Sequence, residues 1–219
     1  GLTSGFTISV AQAYGARKFD KMNKYAGNSI TLAFVIGMVI MIVAHFLSRP
    51  LLKAIDTPDD IIDMSAQYID VLYYAVPIQM SLNNFNALSR AVGDSKRPLY
   101  FLIVSVIVNL LLDILFVGAF KWGVIGAAWA TAISELVAAV LSAISVLKYT
   151  EEYNIDKTAL KIDGKVSWAQ IKIGIPISLQ FSITSIGSMV LQTAVNGFGS
   201  SVIAGFTAAG RVEQLTNIP

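Results

Sequence analysis

The stretch LYFLIVSVIVNLLLDILFVGAF, residues Leu99–Phe120, decides how the rest of the chain is read. As a helix its 22 residues are long enough to cross a bilayer hydrocarbon core of about 30 Å. It carries a single charge, Asp113, with Asn109 one turn earlier on the same face. A carboxylate near the middle of such a helix costs about 2.5–3.5 kcal/mol on insertion scales. One reading is an ion or proton site, or part of a substrate path, with the amide supporting the charged form or offering oxygen to a hard cation. The other is a carboxylate satisfied by a neighbouring Ser, Thr or Arg purely for helix packing. The insertion cost weighs toward the first.

Composition points the same way. Hydrophobic residues make up 55% of the 219 residues and charged residues 14%, with mean hydropathy +0.65. A soluble domain carries about 25% charged residues. The net charge of +2 gives no basis for nucleic-acid binding, and the absence of Cys with a single His, His45, leaves no thiol chemistry, disulfide or zinc constellation. An intramembrane enzyme, which needs a nucleophile with a base or metal ligands within its spans, is therefore a poor reading, and the expectation is no enzyme and no cofactor.

Working outward, Leu2–Ala13 reads as the tail of a spanning helix, followed by Gly15 and the basic residues Arg17, Lys18, Lys21 and Lys24. Ala26–Leu47 is a charge-free span that Arg49-Pro50 is expected to end, and Asp56-Thr57-Pro58-Asp59-Asp60 reads as a polar turn. Met64–Ser89 follows, with only Asp70 charged, then a short connection from Arg90 to Pro98, where Pro98 suits a helix N1 position. After Leu99–Phe120 come Trp122–Leu147 holding Glu135, a polar connector Lys148–Trp168, the charge-free Ile173–Phe198, and a further helix from Ser201 that contains Arg211 and Glu213. Both chain ends fall inside helical patterns, so a piece of a longer protein is expected.

Sidedness follows from basic residues in alternate loops. Loops 15–25, 90–98 and 148–172 hold twelve Lys and Arg against three on the other side, which assigns the first set to the cytoplasm. The fold class is all-α, a polytopic transmembrane helix bundle.

Several polar groups interrupt the spans. Gln79, Asn83, Asn86 and Arg90 form one stripe on a helix that Pro77 is expected to kink. The stripe lines a cavity or bonds neighbouring helices, and Asn86 is favoured as a partner of Asp113 in a shared site. Gln180, Thr184, Ser188, Gln192 and Asn196 make a second stripe at i+4 spacing, either a substrate-facing wall or a packing seam. Gly123, Gly126, Ala127, Ala128, Ala130, Thr131 and Ala132 allow close helix approach. Thr131 and Glu135 share a face, and the preferred reading pairs Glu135 with a lysine near the cytoplasmic side, the alternative being an ion-linked role. Tyr68 and Asp70, near the outer end of their helix, carry no signal on physical grounds alone.

The combination resembles a known family. Ser89-Arg-Ala-Val-Gly-Asp-Ser-Lys-Arg-Pro98 resembles the short cytoplasmic loop of the multidrug and toxic compound extrusion (MATE) transporters. Asn109-Leu-Leu-Leu-Asp113 looks like their fifth helix, Gly123-Val-Ile-Gly-Ala-Ala-Trp-Ala-Thr131 through Glu135 like the sixth, and Gln12-Ala-Tyr-Gly-Ala16 like the end of the second. The resemblance implies a two-lobe, twelve-helix transporter. Residues 1–148 would belong to the N-terminal lobe (helices two to six), 149–169 to the cytoplasmic inter-lobe connector, and 170–219 to the start of the C-terminal lobe (helices seven and eight). It implies a cation site at Asp113, Asn109, Asn86 and Thr131, with Tyr68 a weaker member and the acid of helix one lying outside this sequence. Gln79, Asn83, Gln180, Thr184 and Ser188 are candidates for cavity lining. No resident metal is implied, although Asp113 and Asn109 would suit Na+.

The expectation is a multidrug efflux antiporter of the inner or plasma membrane, coupled to H+ or Na+. It would export cationic amphiphilic drugs or dyes by alternating access, with the lipid bilayer as its surroundings and a monomer as its state. A lipid-linked saccharide flippase of the same superfamily is the nearest rival, disfavoured by the lack of Lys and Arg in mid-span. A truncated, non-transporting membrane remnant is a further alternative.

Overall fold

The computed structural model describes residues 1–54, 59–156, 158–196 and 206, which contain helix and no strand. The order is α1 (Leu2–Gly15), α2 (Phe19–Ala54), α3 (Asp59–Ala91), α4 (Lys96–Asp113), α5 (Gly123–Ile144) and α6 (Gly164–Asn196). Two π-helical stretches, Ile114–Ala119 and Ser145–Tyr149, prolong α4 and α5. The expected polar turn at Asp56–Asp60 falls partly, and the helix from Ser201 with Arg211 and Glu213 almost wholly, outside the described residues.

Among the described residues, four helical stretches are long and apolar enough to cross a membrane: Phe19–Pro50, Lys96–Ala119, Gly123–Tyr149 and Gly164–Val195. The chain is a membrane helix bundle. α3, expected to span over Met64–Ser89, is a helix of 33 residues but too polar to join that set. It packs between α2 and α5, with Asn84 and Ser89 buried while Gln79 and Asn83 are exposed.

The boundaries differ from expectation at three prolines and glycines. Pro50 does not end α2, which continues to Ala54. Beyond it Leu52 is buried, and burial of that turn, more than the exposed Arg49–Asp63 pair at 2.9 Å, offsets the lost backbone bond. Pro98 is the third residue of α4 rather than the first. Asp94 Oδ1 accepts from the N–H groups of Lys96 and Arg97, both at 3.1 Å, and Pro98 has no N–H left to satisfy. α6 begins at Gly164, inside the expected connector, because Asp163 Oδ1 caps it by accepting from Lys165 N (2.9 Å) and Val166 N (3.2 Å).

A buried apolar cluster sits at the end where the connector lies. Val10, Ala13, Met22, Ala26, Phe85, Leu88, Val146 and Tyr153 form it, with the Tyr153 hydroxyl donating to the Leu88 carbonyl at 2.9 Å. At the opposite end Phe116, Phe120 and Trp122 stack on one another with centroids 5.0–6.1 Å apart, as interfacial aromatic residues do. Along α4, Leu102, Val106, Leu110 and Leu111 are exposed, a surface suited to lipid and too apolar for water. The opposite stripe, Ser105, Asn109, Leu112 and Asp113, is half-buried.

Candidate functional site

α4 is fixed to α5 by the Ser105 hydroxyl, which donates to the Ser134 carbonyl at 3.1 Å. The two helices run antiparallel, so passing outward from Ser105 to Asn109 and Asp113 on α4 moves back along α5 toward Ala130 and Gly126. Asn109 therefore stands close to the depth of Thr131.

Asp113 is the last residue of regular α4, and the backbone widens to a π-helix immediately after it. Such stretches recur at functional sites because they re-aim side chains and leave i→i−4 acceptors differently partnered. Asp113 Oδ1 is sealed from solvent and accepts no hydrogen bond from the described residues. A buried carboxylate oxygen without a donor is costly unless a proton or cation compensates it. The packing reading, in which a neighbouring Ser, Thr or Arg satisfies Asp113, has no such partner among the described residues for this oxygen.

The α3–α5 seam carries two side-chain rungs. Gln79 Nε2 donates to Glu135 Oε1 at 3.1 Å, and Ser142 Oγ donates to Asn86 Oδ1 at 3.1 Å. Each joins residues 56 apart in sequence. α3 and α5 thus run parallel and stay in register over the seven-residue interval between the rungs. Asn83 lies between them on α3, exposed.

The expected site residues are accordingly distributed, not gathered. Asn86 is engaged with Ser142, and no hydrogen bond among the described residues joins it to Asp113, Asn109 or Thr131. Thr131 is exposed, and its hydroxyl donates back to the Ala127 carbonyl at 3.0 Å. Tyr68 is half-buried. The lysine expected beside Glu135 is absent: the parallel register brings the α3 amide of Gln79 to that depth, where neither helix has a basic residue. On α6, Gln180, Thr184 and Ser188 are exposed, and the two hydroxyls donate to the carbonyls of Gln180 (2.9 Å) and Thr184 (3.0 Å). Among the described residues these two hydroxyl bonds stay within α6.

Two polar clusters escaped the sequence reading. Asp70 is not simply solvated; its Oδ1 faces His45 Nδ1 at 3.2 Å across the α2–α3 hairpin. At the connector end the fully buried Asn28 donates to Ser167 Oγ (3.1 Å) and Gln170 Oε1 (2.8 Å) and accepts from the Asp163 N–H (2.9 Å). Gln170 donates to the carbonyls of Tyr25 (2.9 Å) and Phe6 (3.3 Å), and Lys24 Nζ lies 2.7 Å from Asp163 Oδ2. That ion pair and the N–H groups of Val166 and Lys165 hold the Asp163 carboxyl below its ordinary range. The partners are more than 130 residues apart, which no local sequence signal reveals.

Comparison with known proteins places the chain firmly. The MatE family model matches residues 1–115. Over its whole length the chain is 30% identical to Probable multidrug resistance protein YoeA of Bacillus subtilis (strain 168), of which it covers 49%. It is 23% identical to Multidrug export protein MepA of Staphylococcus aureus (strain MRSA252), covering 48% of that protein. Among solved structures, that of MATE in complex with MaL6 superposes with a TM-score of 0.88 at 25% identity, over 98% of this chain and 48% of that one. An inward-facing multidrug resistance MATE family transporter of the MOP superfamily gives 0.80 at 25% identity, over 98% and 49%. The chain spans about half the length of the curated relatives it matches.

Proposed function

Because this chain belongs to the MatE family, we propose that it supplies the ion-coupling half of a multidrug exporter working by alternating access. The observation that carries the reading is Asp113: a carboxylate within a spanning helix, at the start of a π-helical stretch, with one sealed oxygen and no donor. Binding a proton or Na+ there removes an uncompensated charge and changes how α4 packs on α5. The ion drives transport only by binding the two facings with different affinity.

Asn109 and Thr131 stand close in depth and offer amide and hydroxyl oxygens, which suit Na+ as readily as they suit hydrogen bonds to a protonated carboxyl. The cargo would be cationic amphiphilic compounds, attracted to an acidic and otherwise base-free interior. Residues 1–148 would form the first lobe, 149–169 the connector and 170–219 the beginning of the second lobe, with the connector end in the cytoplasm of a cell whose plasma membrane holds the transporter as a monomer.

The test is uptake of a cationic dye by proteoliposomes holding the intact transporter under an imposed proton or sodium gradient. Wild type accumulates dye under one gradient, which names the ion, and Asp113→Asn abolishes the gradient dependence. Equal accumulation by the variant makes Asp113 structural.

A further inference from the structure

Glu135 is the single charged residue of α5, and the mechanism above does not use it. Its Oε1 is held by Gln79 Nε2 at 3.1 Å, and among the described residues no Lys, Arg or His forms an ion pair with it. The neighbouring helices supply no charge at that depth. α3 is uncharged between Asp70 and Arg90, and α4 between Arg97 and Asp113; their other titratable groups there are Tyr73, Tyr74 and Tyr100. A lone carboxylate in a span is compensated by a partner, a bound cation or a proton.

The kind of partner decides among these. A lysine would hold Glu135 permanently ionised. A glutamine amide has both donor and acceptor, so it serves either protonation state: its N–H₂ donates to the carboxylate, and, turned over, its carbonyl accepts from the carboxylic acid. The seam keeps a hydrogen bond whether the proton is present or absent. Depth supplies the second argument. The Ser105–Ser134 bond places Asp113 near the level of Gly126, so Glu135 lies about 14 Å further toward the connector end at 1.5 Å per residue.

We propose that Glu135 is a second proton-binding carboxylate of this lobe, nearer the connector end than Asp113, with Gln79 as its positioning residue. Protons taken up at one depth and released at the other would give the lobe two stations, one on α4 and one on α5. This rests on the exporter reading but is tested separately from it.

The experiment is infrared difference spectroscopy of the intact transporter in lipid during a pH titration, following the carbonyl stretch of protonated carboxyl groups, in wild type and in Glu135→Gln, Asp113→Asn and Gln79→Leu. Glu135→Gln is expected to lose one titrating band that Asp113→Asn retains, and Gln79→Leu to shift that band's midpoint. In proteoliposomes proton-driven dye accumulation is expected to fall roughly ten-fold in Glu135→Gln, within the usual range of coupling free energies, while dye counterflow persists. An unchanged set of bands in Glu135→Gln overturns the proposal. So does an unmoved midpoint in Gln79→Leu, which is read even where Glu135→Gln fails to fold. Absence of gradient-driven transport by wild type sinks the exporter reading alone, because the Glu135 band is scored without transport.

Discussion

Gln79 meets Glu135 across the α3–α5 seam at 3.1 Å, and the pair has the same sequence separation, 56, as Asn86 with Ser142. Two polar rungs seven residues apart therefore set the register of two parallel helices, and one of them contains a carboxylate. The rungs have different prospects under mutation.

The Asn86–Ser142 rung joins two neutral groups. Asn86→Leu combined with Ser142→Ala in a double-mutant cycle is expected to give a coupling free energy of about 0.6–2 kcal/mol, the range for interhelical hydrogen bonds in membranes. Unfolding of the purified protein in mixed micelles measures it. A coupling near zero would show that the rung does not hold the register.

Asp113 presents a trade between stability and activity. Its sealed oxygen lacks a donor, so Asp113→Asn, which removes the charge though not the buried polar atom, is expected to raise unfolding stability by about 1–3 kcal/mol. The same change is expected to remove ion-driven uptake. Thermal unfolding at fixed pH and detergent reads the first effect, and a destabilised variant would show that the carboxylate has a partner in the native bundle.

Gly5 tests the α1–α6 crossing. A Cβ there would press on the Cα of Gly174 and lie 2.9 Å from its backbone nitrogen. Gly5→Ala is expected to cost about 1–3 kcal/mol as overpacking. Gly15, where nothing lies within 4 Å, is the control position, and Gly15→Ala should cost much less.

The connector makes a pH prediction with opposite signs at two ends. The folded-state carboxyl of Asp163 is depressed by Lys24 and by the N–H groups it caps. Its contribution is fully present above the ordinary carboxylate value of about 3.9 and is lost as pH falls through the lower folded value. Burial, then the charge of Glu152, raises the Tyr153 phenol. That contribution is complete below about pH 10 and is lost as pH rises through the folded value. Hydrogen exchange of the 150–163 backbone is expected to be slow across the neutral range and to accelerate toward both extremes. Lys24→Met is expected to move the acidic edge upward.

Much of the fold was legible because lipid imposes a simple code. Runs such as Ala26–Leu47 and Leu99–Phe120 must be helices, and the polar loops between them alternate sides. The helix ends were harder. Pro50 reads as a stop only if nothing holds the following turn, whereas Leu52 in that turn is buried and Arg49 reaches Asp63 across a hairpin. Asp113 stood out as a lone charge in an apolar run, whereas the π-helix after it leaves no mark in composition. Glu135 was equally visible, but its partner was not, since the identity of the facing residue depends on the parallel register of α3 and α5. Asn28, Ser167 and Gln170 carried no signal at all: each is an ordinary polar residue until the chain brings α2 and α6 together.

That last cluster separates two kinds of boundary. By composition the first half of the chain ends in the connector, before residue 170. By bonding it ends later, since Gln170 is tied to Tyr25 and Phe6, Gly174 touches Gly5, and Ser178 and Phe181 still lie against Gly1. Pro176 lies inside the anchored portion of that helix. The opening turns of α6, Pro176 included, are thus held by α1 and α2, so the compositional boundary in the connector is not a break in bonding.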